Sequence, residues 1–178
     1  MQYKTLMIKG AILGKNQLED YLEKVASSHN LQNFSDKETY PIPRLKENFE
    51  LITQTYNLLN EHAKLKIPIH SAGEWILDNY YVIDEAVKNI KLELPKHKYT
   101  KFLGLANGNY AGFARVYVLA SEIVNYTDNK IDGKNLSDYI QAYQKKKTLS
   151  MEEIWNIGIF MKIALIENIR QICEKIYV

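Results

Sequence analysis

The feature that most constrains the fold is an apolar stripe with helical period in the first half of the chain. Its members are four, three, four, three and four residues apart: Leu45, Phe49, Ile52, Tyr56, Leu59 and Ala63. That spacing places all six along one face of an α-helix, whereas a half-buried strand would alternate at every second residue. Because no segment sustains such alternation, we predict an all-α fold.

Further segments with helical period predict an irregular or orthogonal bundle of about five to seven helices. We expect them over about 16–28, over 72–92, from residue 111 onward, around 136–143, and from 151 onward. Capping boxes, in which a hydroxyl and a carboxylate satisfy helix-end amides, are predicted at Ser71–Glu74 and Ser150–Glu153. The segment 72–92 is apolar on both sides, which favours a central position in the bundle.

The length and composition favour one domain. A chain of 178 residues with 46% hydrophobic residues can bury a sizeable core, so we expect a single helical domain over 1–178. Within it, 15–66 forms N-terminal helices and 67–178 the main helical core. The final helical pattern has no closing glycine or proline before Val178, so we expect a fragment of a larger chain.

Charge and cysteine content limit the compartment and the partners. The formal net charge is +2 with both signs interspersed, which argues against a nucleic-acid partner. One cysteine, Cys173, cannot form an intramolecular disulfide, and a reducing compartment fits best. The longest apolar stretch, 157–166, contains Lys162 and is far shorter than the ~20 residues that cross a bilayer. The Met1–Gly10 segment is no signal peptide, so we expect a cytoplasmic location.

Several ordered blocks resemble the cyclic β-1,2-glucan synthases. The stretch SAGEWILDNYYVIDE at 71–85, followed by Leu94-Pro95, is similar to the family's "AEWLLDN…EE…LP". LANG at 105–108, AGFARVY at 111–117 and ASE at 120–122 resemble "LADG…AGYPRVYALA.E". AYQ at 142–144, Leu149, EIW at 153–155 and ALIENIR at 164–170 resemble "AYQ…LTIGELWA…ALIENLR". The resemblance covers about 67–176, and Ala114 stands where the family pattern has proline.

The resemblance implies a very large membrane-associated enzyme that builds β-1,2-glucan from UDP-glucose, cyclises it and trims it by phosphorolysis. The matching segment lies upstream of that family's catalytic modules. The sequence contains neither an Asp-x-Asp metal site nor a glycine loop for phosphates, so we expect no cofactor and no glucosyl transfer in this segment.

An acidic stripe on the helix at 72–92 is a candidate for acid–base chemistry. Glu74, Asp78, Tyr81 and Glu85 share one face at helical spacing, and paired carboxylates serve glycoside hydrolysis when suitably spaced. A structural role is favoured, because the capping box and the helix dipole already explain Glu74.

Aromatic residues offer a second candidate. Trp75, Tyr80, Tyr81 and Trp155 could form a platform on which sugar rings stack, but both tryptophans begin amphipathic helices, so buried core is favoured. The four histidines have no metal-ligand spacing, so no metal site is predicted.

Arg115 is predicted to be a structural clamp. Its neighbours, among them Val116 and Tyr117, are nearly all apolar, so its guanidinium should enter a packed interface and require a carboxylate partner. We expect that partner to be Asp78 or Glu74.

Three functions remain open. The first is a non-catalytic structural or docking domain that contacts other domains of a β-1,2-glucan synthase-like enzyme. The second is a carbohydrate-binding module that holds β-glucan, motivated by 13 tyrosines and two tryptophans. The third is a stand-alone helical protein-interaction module.

Overall fold

The structure is a computed structural model that describes residues 3–8 and 10–177. The expectations for the N-terminal segment and for the end of the chain fall partly on residues outside the described ones: Met1, Gln2, Lys9 and Val178. The described part contains seven α-helices: α1 Lys15–Ser28, α2 Ile42–Lys64, α3 Ser71–Glu93, α4 Lys96–Tyr99, α5 Arg115–Tyr126, α6 Gly133–Gln144 and α7 Met151–Tyr177. The all-α prediction and the predicted helix number are confirmed.

The centre of the bundle is α5. Every residue from Arg115 to Val124 is buried, because α7 packs on one side of this helix and α1 on another. The predicted central position of α3 is wrong. On its second apolar side, which carries Leu77 and Tyr81, Tyr81 is 70% exposed and Leu77 is only partly buried, whereas the face with Ile76 and Ile83 is buried.

The α2 and α3 helices are joined by stacked tyrosines. The rings of Tyr56 and Tyr80 lie parallel with centroids 4.0 Å apart, and Phe49 stacks on Tyr80 at 5.8 Å. Thr53 Oγ1 and Tyr80 Oη share a hydrogen bond of 2.9 Å. These contacts hold α3 beside α2, while α2 also packs along α7.

One of the two predicted capping boxes forms. Glu153 N donates to Ser150 Oγ at 3.1 Å, and Ser150 N donates to Glu153 Oε2 at 2.7 Å. The box at Ser71 is wrong, because α3 already includes Ser71 and its N-cap is His70 without a side-chain cap. The backbone becomes helical one residue earlier than the box requires, so Ser71 lies inside the helix and not at its N-cap.

A short antiparallel ladder ties the segment after α1 to the segment before α5. β1, Leu31–Gln32, pairs with β2, Gly104–Leu105. Gly104 is required at this crossing, because a Cβ there would meet the carbonyl oxygen of Phe34. No helix among the described residues has the length and apolarity of a membrane span.

Candidate functional site

A polar cavity of about 310 Å³ lies where the C-terminal half of α1, the loop after β2 and the middle of α5 meet. The β1–β2 ladder brings these segments together, since Ala106 N donates to Asn30 O at 2.7 Å just beside it. The lining residues are Tyr21, Val25, Ser28, His29, Asn30, Leu105, Asn107, Gly108, Asn109, Tyr110 and Glu122. Most of these side chains carry hydrogen-bonding groups, so the cavity suits a polar ligand.

The buried carboxyl group of Glu122 lines this cavity. The residue is 3% exposed, and Tyr21 Oη donates to its Oε1 at 2.9 Å. Its other oxygen, Oε2, has no hydrogen-bond partner among the described residues. Burial raises the pKa of Glu122 to about 7, and the hydrogen bond from Tyr21 only partly opposes that rise. Glu122 therefore changes protonation near neutral pH and keeps one oxygen uncommitted.

A tight turn forms the outer wall of the cavity. Gly108 has a φ of +85°, which glycine adopts without strain, and Ala111 N donates to its carbonyl oxygen at 3.2 Å. Asn30 Nδ2 donates to Asn107 Oδ1 at 3.2 Å, which links this turn to the end of α1. The wall is therefore fixed from both sides.

The inner wall contains a histidine that is held neutral. His29 Nδ1 is 2.8 Å from Tyr143 Oη, and burial, with Arg115 nearby, lowers the pKa of His29 to about 4. The Arg115 guanidinium carbon lies 5.9 Å from the centre of the Tyr143 ring. A chain of buried polar side chains thus runs from the cavity toward the start of α7.

Arg115 is a structural clamp, as predicted, but its predicted partners are wrong. It is 2% exposed and pairs with Glu153, with Nε to Oε1 at 2.7 Å and Nη2 to Oε2 at 2.8 Å. Its Nη2 also donates to Thr148 O at 2.8 Å. The partner differs because α5 packs against α7, whereas Glu74 and Asp78 lie on an exposed face of α3.

The alternative considered for the aromatic residues, a platform on which sugars stack, is not brought together. Trp75 is 47% exposed and Tyr81 70% exposed on α3, whereas Trp155 is 71% exposed on the first turn of α7. That turn lies beside α4, since Lys98 Nζ and Glu152 Oε1 are 3.9 Å apart, and α4 follows the opposite end of α3. The prediction that both tryptophans are core residues is also wrong, because each points away from its helix's buried face.

Tyr117 belongs to the core rather than to the cavity. It is 6% exposed and its ring stacks on Phe160 with centroids 5.4 Å apart. Burial raises its pKa, so the hydroxyl stays neutral at ordinary pH. Its position explains the packing of α5 on α7.

One feature of the sequence could have indicated the cavity. Glu122 is the lone carboxylate in the nearly apolar run from 116 to 124, and carboxylates are rarely fully buried without a partner. His29 and Tyr110, by contrast, lie in polar segments where no pattern distinguishes them. Their proximity to Glu122 depends on the β1–β2 pairing.

Comparison with known proteins agrees with the sequence blocks. No protein-family model matches the chain. The chain is similar to the cyclic beta-(1,2)-glucan synthase NdvB of Rhizobium meliloti (strain 1021), at 26% identity over 133 residues. The aligned part is 75% of this chain but 5% of that protein. The resemblance to the cyclic β-1,2-glucan synthases is thereby confirmed, and the chain spans only a small part of its relative's length.

Proposed function

We propose that this chain is a non-catalytic helical docking domain of a β-1,2-glucan synthase-like glucosyltransferase. In this proposal it works on the cytoplasmic side of a membrane-associated enzyme and contacts another domain of that enzyme. The similarity to NdvB supports the enzyme class. The observation that carries the docking role is an unpartnered face of α3.

That face, here called the α3 stripe, consists of Trp75, Asp78, Val82, Glu85 and Leu92. The five residues follow one another at i, i+3, i+7, i+10 and i+17, so they form one line along the helix. All five are exposed, with Trp75 at 47%, Val82 at 67% and Leu92 at 80%. Three large apolar side chains in line on one helix are typical of a surface that another protein covers.

The chemistry of the stripe indicates its partner. Asp78 and Glu85 alternate with the apolar side chains, so a complementary surface has apolar pockets bordered by lysine or arginine. A domain of the same enzyme fits best, because the relative that resembles this chain is about fifteen times its length. A second copy of this chain would bring like charges together.

Two buried carboxylates support the non-catalytic part of the proposal. Glu153 is bound by Arg115 and Ser150. Glu167 accepts from Arg44 Nη2 at 2.8 Å and from Asn48 Nδ2 at 2.7 Å. Both carboxylates join helices, and such pairs hold tertiary structure together when the buried charges are compensated.

The test measures β-1,2-glucan synthesis from UDP-glucose by the synthase that contains or binds this chain. A Trp75→Ser, Val82→Lys, Leu92→Lys variant should lower the rate at least about tenfold, because central apolar anchors dominate interfaces. The matched control is Trp155→Ser, which removes an exposed tryptophan away from the stripe. An unchanged rate in the stripe variant would refute the docking role.

A further inference from the structure

We propose that the cavity between α1, the loop after β2 and α5 binds one neutral pyranose unit, with Glu122 accepting a sugar hydroxyl. The proposal rests on the proposed function for the kind of sugar, a glucose unit of β-1,2-glucan. The site differs from the α3 stripe in position and in chemistry. It also contains none of the exposed aromatic residues Trp75, Tyr81 and Trp155.

Oε2 of Glu122 has no hydrogen-bond partner among the described residues. A buried carboxylate oxygen without a partner is costly, because it has lost its water and gained nothing in exchange. Oε2 is in that condition, while Oε1 is bound to Tyr21 Oη. A ligand hydroxyl that donates to the carboxylate group would remove this cost. The bond from Tyr21 keeps the carboxyl group in a fixed orientation in the meantime.

Three asparagine side chains at the mouth of the cavity favour a ligand that carries hydroxyl groups. Asn30, Asn107 and Asn109 are exposed there, and each side-chain amide offers both donors and an acceptor. A hydroxyl group likewise both donates and accepts. A ring with several hydroxyls can therefore satisfy the amides and the carboxylate together, which an apolar ligand cannot do.

The aromatic lining and the volume of the cavity favour a single sugar ring. Tyr21 and Tyr110 line it with aromatic rings, and Tyr21 is held in place by an edge contact to Tyr126 at 5.0 Å. Aromatic faces suit the C–H surface of a pyranose ring while their hydroxyls remain polar. The volume of about 310 Å³ is at the lower end of ligand pockets, which limits the ligand to about one ring.

The charges of the residues that line the cavity favour a neutral ligand. None of the described residues that line the cavity is a lysine or an arginine, and His29 is held neutral. An anionic sugar, such as a sugar nucleotide or a uronic acid, would meet only the carboxyl group of Glu122. A cation would find one carboxyl group but would leave the three amides without matching acceptors and donors. A neutral sugar can form hydrogen bonds with the carboxyl group and with the amides.

The experiment titrates the 178-residue chain with sophorose, the β-1,2-linked glucose disaccharide, by calorimetry and amide NMR. We expect saturable binding with a Kd of about 1 mM, as a small polar ligand in a site of this size would have. The largest amide shifts should occur at 105–110 and near Glu122. Glucuronate and choline serve as an anionic and a cationic probe, and both should bind at least tenfold more weakly.

Variants assign the binding to the cavity. Glu122→Leu should weaken sophorose binding at least tenfold, and Glu122→Gln, which keeps an acceptor, should retain most of it. Asn109→Leu changes an exposed residue at the mouth and should weaken binding even if the Glu122 variants do not fold. Trp155→Ser is the matched control, because Trp155 is exposed and lines neither the cavity nor the α3 stripe, and it should bind sophorose like the unaltered chain.

Three outcomes would overturn the inference: no sophorose binding at about ten times the expected Kd, shifts confined to α3, or preferential binding of choline or glucuronate. These outcomes are distinguishable from failure of the docking role. If sophorose does not bind but stripe variants still slow glucan synthesis, only the cavity assignment fails. If sophorose binds and stripe variants leave synthesis unchanged, only the docking role fails.

Discussion

Arg115 and Glu153 form a bidentate ion pair inside the bundle, with N–O distances of 2.7 and 2.8 Å, that joins the start of α5 to the start of α7. Both side chains are almost fully buried, at 3% and 1% exposure. Glu153 also closes the capping box with Ser150. The carboxylate of Glu153 therefore caps the N-terminus of α7 and also holds α7 against the central helix α5.

Replacing Arg115 by Met should lower the free energy of unfolding by about 3 kcal/mol, because the buried carboxylate of Glu153 would lose the cation that pairs with it. Urea denaturation monitored by circular dichroism measures this change, provided that the slope with denaturant is unaltered.

The double variant Arg115→Met, Glu153→Gln tests the reason for that loss. Glutamine preserves the capping box but removes the buried charge, so about half of the lost stability should return. A double variant as unstable as the single one would contradict the uncompensated-charge explanation and favour lost packing of the arginine stem.

The two serines predicted to begin helices should respond differently to truncation. Ser150→Ala should cost about 1 kcal/mol, because it removes the acceptor for the amide of Glu153. Ser71→Ala is the matched control, and its cost should be within about 0.5 kcal/mol because no side-chain cap exists there. Thermal unfolding of both variants measures the difference, and equal losses would show that α3 is capped by Ser71 in solution.

Glu122 and His29 should give opposite dependences of stability on pH. Glu122 has its pKa raised from 4.5 to about 7, so the folded state holds a proton that the unfolded state releases, and stability decreases as the pH rises through this range. His29 has its pKa lowered from 6.5 to about 4, so its contribution is present above pH 6.5 and is lost as the pH falls toward 4.

Tyr21, Tyr110 and Tyr143 face Glu122 from α1, the cavity wall and α6 and stay neutral throughout this range. The positive charges of Arg115 and Lys147 act on His29 and help to lower its pKa. The two contributions should nearly cancel between about pH 4.5 and 6.5 in the unaltered chain. Glu122→Gln should therefore become more stable as the pH rises from 4 to 6.5, by up to about 3 kcal/mol. A flat profile in this variant would contradict the assignment.

Both tryptophans should behave as solvent-exposed side chains. Trp75 and Trp155 are 47% and 71% exposed, so the emission of the folded chain should be red-shifted and readily quenched by iodide. Trp155→Phe should leave most of the stability intact, with a change within about 0.5 kcal/mol. A blue-shifted, protected emission would show that a partner or a second copy covers them.

The family resemblance and the helix positions could be read from the sequence because both depend on local order. The apolar stripe from Leu45 to Ala63 lies within α2, and the Ser150–Glu153 box formed as predicted. Helical period and capping involve residues at most a few positions apart, so they need no knowledge of which helices meet. The same applies to the ordered blocks that match NdvB.

The tertiary structure alone decided which partners meet and which faces are covered. Arg115 was correctly expected to be buried, but whether it met Glu74, Asp78 or Glu153 depended on the packing of α5 against α7. The two apolar sides of α3 look alike in the sequence, and only the position of α2 and α7 buries one of them. The Glu122 cavity likewise exists because the β1–β2 ladder brings segments more than seventy positions apart together. Such long-range pairings are set by the sum of many weak contacts across the whole core, which no local pattern encodes.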